Sequence, residues 1–138
     1  MSVLKGFLQP SPMMETKEVV ISNRFKGEDG KPLRFKIRVI DQKTNDGLIK
    51  KATKRKKIKG ETVTELDHED YASRLIVACT VEPDFRDSEL CEYYKEMIPE
   101  NVPGKMLSSG EFRKLLDEIN ELNGFYDSDD IEDEAKNS

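Results

Sequence analysis

Residues 33–40 read Leu33-Arg34-Phe35-Lys36-Ile37-Arg38-Val39-Ile40. Apolar and basic side chains alternate through most of it, so Leu33, Phe35, Ile37 and Val39 share one face and Arg34, Lys36 and Arg38 the other. A period of two with one apolar face is the pattern of a half-buried β-strand. Upstream, Glu18 to Lys26 sets Val19, Ile21 and Phe25 on one side and predicts a second strand. Gly27-Glu28-Asp29-Gly30-Lys31-Pro32 joins the two. Asp-Gly is a hairpin signal because glycine accepts positive φ at little cost. An antiparallel hairpin with one wet, basic face is the frame on which the rest is placed.

Beyond Asp41 the pattern turns weakly helical through about Arg55, interrupted by Gly47, with only Leu48, Ile49 and Ala52 as apolar contacts. Threonine and valine in Glu61–Leu66 predict a third strand. Asp67 is placed to cap a helix with Tyr71, Ala72, Leu75, Ile76 and Cys79 on its apolar face, ending by Pro83. Asp87 or Ser88 starts the next helix, with Leu90, Cys91, Tyr94, Met97 and Ile98 at helical spacing. Pro99 and Pro103 are expected to force a loop. Ser108 three residues before Glu111 is a capping box. It opens a helix whose stripe is Phe112, Leu115, Leu116, Ile119 and Leu122, stopped by Gly124. The order predicts an α+β fold: a small, mainly antiparallel sheet, the N-terminal hairpin plus a third strand, with about four helices. Residues 1–126 form a single domain with an N-terminal arm at 1–16, and 127–138 an acidic, disordered tail.

Charge is unevenly placed. Asp127 to Ser138 holds six acids and one base, so this tail alone carries the whole net charge of −5. The remaining body is neutral and has no global field to draw in nucleic acid or a membrane. Charged residues make up 37% of the chain against 36% hydrophobic, which argues against a large apolar core. No apolar run approaches the ~18–20 residues of a spanning helix, and Met1 to Pro12 lacks the pattern of a secretory signal. A cytoplasmic protein is expected.

Little in the chain suggests catalysis. Cys79 and Cys91 stand outside any CxxC spacing and read as reduced, buried thiols. His68 is the single histidine, which excludes a multi-histidine metal site, and it reads as an exposed first-turn residue. Asp84 and Asp87 read as turn and cap residues; Glu111 and Glu118 lie on a helix. Gly30-Lys31 and Gly104-Lys105 lack the frame of a phosphate loop, and Ile131 falls on a ligand slot of any calcium loop in the tail. No active site, cofactor site or metal site is predicted.

Two segments are candidates for binding. Lys50, Lys51, Lys54, Arg55, Lys56, Lys57 and Lys59 put seven positive charges into ten residues. Such density suits phosphate, but no aromatic residue supplies a stacking platform. A solvated helix end and loop, in contact with an acidic protein segment or with the tail itself, is the preferred reading over nucleic acid. The arm carries Leu4, Phe7, Leu8, Met13 and Met14 as its partner-binding candidates, with Pro10 and Pro12 limiting it to half a turn of helix and an extended stretch. It either docks on its own body or awaits a partner.

The assembled order resembles the XkdN-like phage tail assembly chaperones. The resemblance runs from Leu4, Phe7 and Leu8 through Val19-Val20-Ile21-Ser22-Asn23-Arg24-Phe25, the turn Asp29-Gly30-Lys31-Pro32 and the strand Phe35-Lys36-Ile37. It continues with Leu66-Asp67, Tyr71, Leu75-Ile76, Val81-Glu82-Pro83-Asp84 and Leu90. Its most distinctive stretch is Lys105-Met106-Leu107-Ser108-Ser109-Gly110-Glu111-Phe112, closed by Leu115, Ile119, Leu122 and Gly124-Phe125. The shared pattern is read over about residues 3–126, without the tail. It implies a non-enzymatic helper of the bacterial host cytoplasm that binds the tape-measure protein, keeps it soluble during tail assembly and is absent from the mature virion. A frameshift-extended form of the chain itself and the tail-tube protein are further partners the resemblance suggests. The alternative is a small nucleic-acid-binding phage accessory protein using residues 50–59.

Overall fold

The computed structural model describes residues 3–13 and 16–125. Met14 and the expected tail at 127–138 lie outside the described residues. The two expected strands pair antiparallel, but the first, expected at Glu18–Lys26, lies earlier and is shorter, and residues 20–25 form no strand. β1 (Thr16–Val19) pairs antiparallel with β2 (Phe35–Arg38), Val19 opposite Phe35 and Thr16 opposite Arg38. Beyond the ladder a bridge joins Lys26 to Pro32, and Gly30 takes φ 79° in the turn. Phe25 and Phe35 meet edge to face at 5.8 Å. Val19, Ile21, Phe35 and Ile37 are buried, but Leu33 is half exposed at the turn, where the strand has not yet reached the helices.

α2 (Gln42–Ala52) is shorter than expected. Asp41 caps it through Thr44 N, and Ala52 is its buried end. Most of the basic run that reads as helix end and loop is instead a strand, β3 (Thr53–Ile58), paired with β4 (Glu61–Leu66). Lys59 and Gly60, at φ 52° and 82°, make the two-residue turn. So the expected third strand exists, but it belongs to a separate two-stranded hairpin. The third strand of the main sheet is β5 (Thr80–Glu82), which pairs with β2 and gives the order β1-β2-β5.

α3 (His68–Cys79) is capped by Asp67 through Asp70 N, as expected. α4 (Ser88–Tyr93) is capped by Asp87 but ends early, where Lys95 takes φ 54°. Met97 and Ile98 therefore do not join the apolar stripe: they are 95% and 54% exposed. Pro99 opens a 3-10 turn (Pro99–Asn101), and Pro103 sits in the first turn of α5 (Val102–Met106). The two prolines start helical turns, because the missing N–H belongs to an end that has no intrahelical partner.

α6 (Ser109–Asn123) carries the complete Ser108–Glu111 capping box and ends at Gly124 with φ 73°. The helices α3 and α6 pack on one another, and α6 packs on β2. Phe35, Ile37, Leu75, Ile76, Phe85, Val102, Leu115 and Ile119 fill the core between them. Each such side chain contributes about 1.5–3 kcal/mol by leaving water. The fold is α+β with small antiparallel sheets, as the order of patterns predicts. On the opposite sheet face, Lys36 pairs with Glu82 at 3.8 Å and Arg38 Nε donates to Ala78 O. Among the described residues no helix is long and apolar enough to cross a membrane.

Candidate functional site: exposed apolar and basic surfaces

The N-terminal arm forms α1 (Val3–Leu8), more helix than the half turn expected. Pro10 and Pro12 stop it by removing N–H donors and fixing φ. None of its residues is buried. Val3, Leu4, Phe7 and Leu8 are 61–80% exposed, and Met13 is 68% exposed. Among the described residues the arm's apolar side chains are exposed rather than buried against the body. Met14 is outside the described residues.

A second apolar surface lies at α4. Tyr93, Met97 and Ile98 are exposed beside two open clefts. One, of about 460 Å³, is lined by Pro83, Asp84, Asp87, Leu90 and Tyr93; the other, of about 580 Å³, includes Cys91, Met97 and Pro99. Sequence spacing missed this patch by carrying the helix through Ile98. The available signal was Pro99, which holds the residue before it extended; Ile98 has φ −103° and ψ 111°.

The basic residues divide by the faces of the β3–β4 hairpin. Directly opposed residues in an antiparallel pair share a face, so Lys54 and Lys56 lie with Glu65 and Val63, whereas Arg55 and Lys57 lie with Thr64 and Thr62. The first face is largely neutralised. Lys56 Nζ is 3.1 Å from Glu65 Oε2, and Lys54 Nζ is 3.0 Å from Asp70 Oδ2. Burial opposes ionisation of Asp70, but hydrogen bonds from Lys54 and Arg74 outweigh it and hold its carboxyl below the usual range. The second face has no acid opposite its cations. Lys50 and Lys51 stand in the last turn of α2, just before it.

The groups considered for catalysis are engaged structurally. Asp84 Oδ1 accepts from Arg86 N, and Asp87 caps α4. Glu111 closes the capping box and takes two hydrogen bonds from Arg24. Glu118 pairs with Lys17 at 3.3 Å. Tyr71 Oη donates to Asn45 Oδ1, and His68 is exposed at the start of α3. Cys79 and Cys91 are free thiols; burial pushes Cys79 up to about 11. Among the described residues no group of three His, Cys, Asp or Glu side chains could hold a metal ion.

The arm is thus exposed, and the carboxylates considered for catalysis serve caps, turns and ion pairs. The chain belongs to the phage XkdN-like tail assembly chaperone family, whose pattern matches residues 4–136. That is a family of assembly chaperones rather than of enzymes. Two relatives come from Bacillus subtilis (strain 168). The phage-like element PBSX protein XkdN is 37% identical over 137 residues, covering 96% of this chain and 93% of that one. The protein YqbN is 38% identical over 137 residues, covering 96% and 92%. The crystal structure of YqbN superposes with a TM-score of 0.74 at 33% identity, covering 88% of this chain and 95% of that one. The match reaches past Phe125, so the family pattern includes most of the acidic segment that the sequence resemblance left out.

Proposed function

We propose that this chaperone binds the tail tape-measure protein in the bacterial cytoplasm and keeps it soluble until tail-tube subunits cover it, leaving no copy in the mature virion. The observation that carries this reading is the exposed arm. Leu4, Phe7, Leu8 and Met13 present apolar surface that the body does not cover, and Met14 continues it in sequence. Methionine adapts to irregular partner surfaces, and a short arm makes a contact of modest area that releases readily. Binding of this kind suppresses aggregation by mass action, only while the chaperone is in excess. No covalent chemistry or cofactor is required. A frameshift-extended form of the chain and the tail-tube protein are further partners of the same assembly step.

The nucleic-acid alternative draws less support. Lys54 and Lys56 are held by Asp70 and Glu65, and the β3–β4 hairpin has no aromatic residue on which a base could stack. The test is a pull-down of the tape-measure protein by the intact chain and by a chain lacking residues 3–13. The proposal expects co-purification with the first and loss with the second. Equal co-purification would remove the arm from the contact, and none with either would remove the tape-measure protein.

A further inference from the structure

We infer that the unopposed basic face of the β3–β4 hairpin is the seat of the chain's own acidic C-terminal segment. Arg55 and Lys57 on β3 face Thr64 and Thr62 across the ladder, so no acid lies opposite them. Lys50 and Lys51 crowd the base of the hairpin and Lys59 its turn. Among the described residues none of these five cations has an ion pair, whereas Lys54 and Lys56, on the other face, each have one. The body as a whole, these cations included, holds 22 acids and 22 bases, so its other acids outnumber its other bases but are dispersed along the chain. The densest acids of the chain are the six from Asp127 to Glu134. An excess of cations in one place and an excess of anions in one segment complement each other in number and sign.

The segment can reach. Asn123 Oδ1 accepts from Ile40 N at 3.0 Å, which puts the end of α6 beside the start of α2. α2 has 11 residues, a length of about 16 Å, and delivers the chain to β3. Arg55 and Lys57 are about 10–15 Å farther along the strand. The nine residues from Tyr126 to Glu134 span up to about 30 Å when extended. Fully extended, the segment can therefore bring its last acids, Glu132 to Glu134, to the base and middle of the hairpin, with the earlier acids alongside α2. Single exposed ion pairs are weak, but tethering on a short linker supplies an effective concentration of about millimolar. A contact of only millimolar intrinsic affinity is then occupied about half the time, and it weakens as salt shortens the screening length. On such a contact the segment competes with any phosphate backbone for the same face of the seven-cation run.

Zero-length carbodiimide cross-linking of the full chain, with mapping by mass spectrometry, tests this. Lys43, in the first turn of α2, is nearer the segment's origin and reports simple proximity. The expected result is cross-links from Asp127–Glu134 to Lys50, Lys51, Lys57 or Lys59 within the monomer, exceeding those to Lys43. They should fall at least about threefold in 0.5 M salt. In the full-length double variant Arg55→Ser, Lys57→Ser, whose changed side chains are exposed, links to the remaining hairpin lysines should fall likewise. Links mainly to Lys43, links insensitive to salt or to the double variant, or links found only between two copies would each overturn the inference.

Discussion

Arg24 grips Glu111 with two nitrogens, Nε at 2.9 Å from Oε2 and Nη2 at 2.6 Å from Oε1. Nη2 also donates to Met106 O at 2.8 Å. The pair joins the connection between β1 and β2 to the first turn of the last helix, 87 residues away in sequence. Glu111 meanwhile accepts from Ser108 N and completes the capping box. One carboxylate therefore serves a helix cap and a long-range tie, so the start of α6 and the hairpin are positioned together.

Hydrogen bonds from Arg24, Ser22 and Ser108 hold the Glu111 carboxyl far below its ordinary value of 4.5. A folded-state value below the unfolded one stabilises the fold above about pH 4.5, and this contribution is lost as pH falls below it. Urea unfolding between pH 7 and pH 2.5 should show the wild type losing stability on acidification more steeply than Glu111→Gln. Parallel curves would show that Glu111 does not carry the linkage.

Leu115 is fully buried between the sheet and α3. Leu115→Ala removes core volume that the surrounding helices cannot refill and should cost about 2–5 kcal/mol in urea unfolding. Ser108→Ala removes the cap from the same helix and should cost about 1 kcal/mol. The order of the two losses checks that α6 is anchored chiefly by its apolar stripe.

Much of this local grammar is legible in the sequence. Asp67, Asp87, Ser108 and Gly124 announce helix ends because a cap is satisfied within three or four residues. The Asp29-Gly30 turn is legible for the same reason. β3 is hidden because Lys54 to Lys57 show no hydrophobic alternation, and its pairing rests on Lys59-Gly60 and on the threonines opposite. β5 is hidden because three residues after a buried helix carry no period, and β2, more than forty positions earlier, decides their state. The arm's residues are legible as apolar, but their failure to dock on the body is a fact of three dimensions.

Cys79 is buried with a thiol pushed up to about 11, whereas Cys91 is partly exposed and donates to Phe85 O. At pH 8 a thiol reagent should modify Cys91 readily and Cys79 only as the fold opens, since the thiolate is the reactive form. Mass mapping of a timed alkylation checks this. Equal rates at both cysteines would mean that the α3–sheet core opens freely.

Phe7 and Leu8 on α1 and Met97 beyond α4 are all exposed. Phe7→Ser, Leu8→Ser and Met97→Ser should each leave stability within about 0.5 kcal/mol of wild type. Denaturation midpoints check it. A larger loss at Phe7 or Leu8 would mean that the arm serves the fold.

The proposed role of this chain is to keep the tape-measure protein soluble through its arm. The direct measurement is the soluble fraction of that protein when co-expressed with the intact chain, with the Phe7→Ser, Leu8→Ser double variant, or alone. The expected result is a soluble tape-measure protein with the intact chain, and aggregation with the folded variant as in its absence. A tape-measure protein equally insoluble in all three, beside a well-folded intact chain in excess, would contradict it.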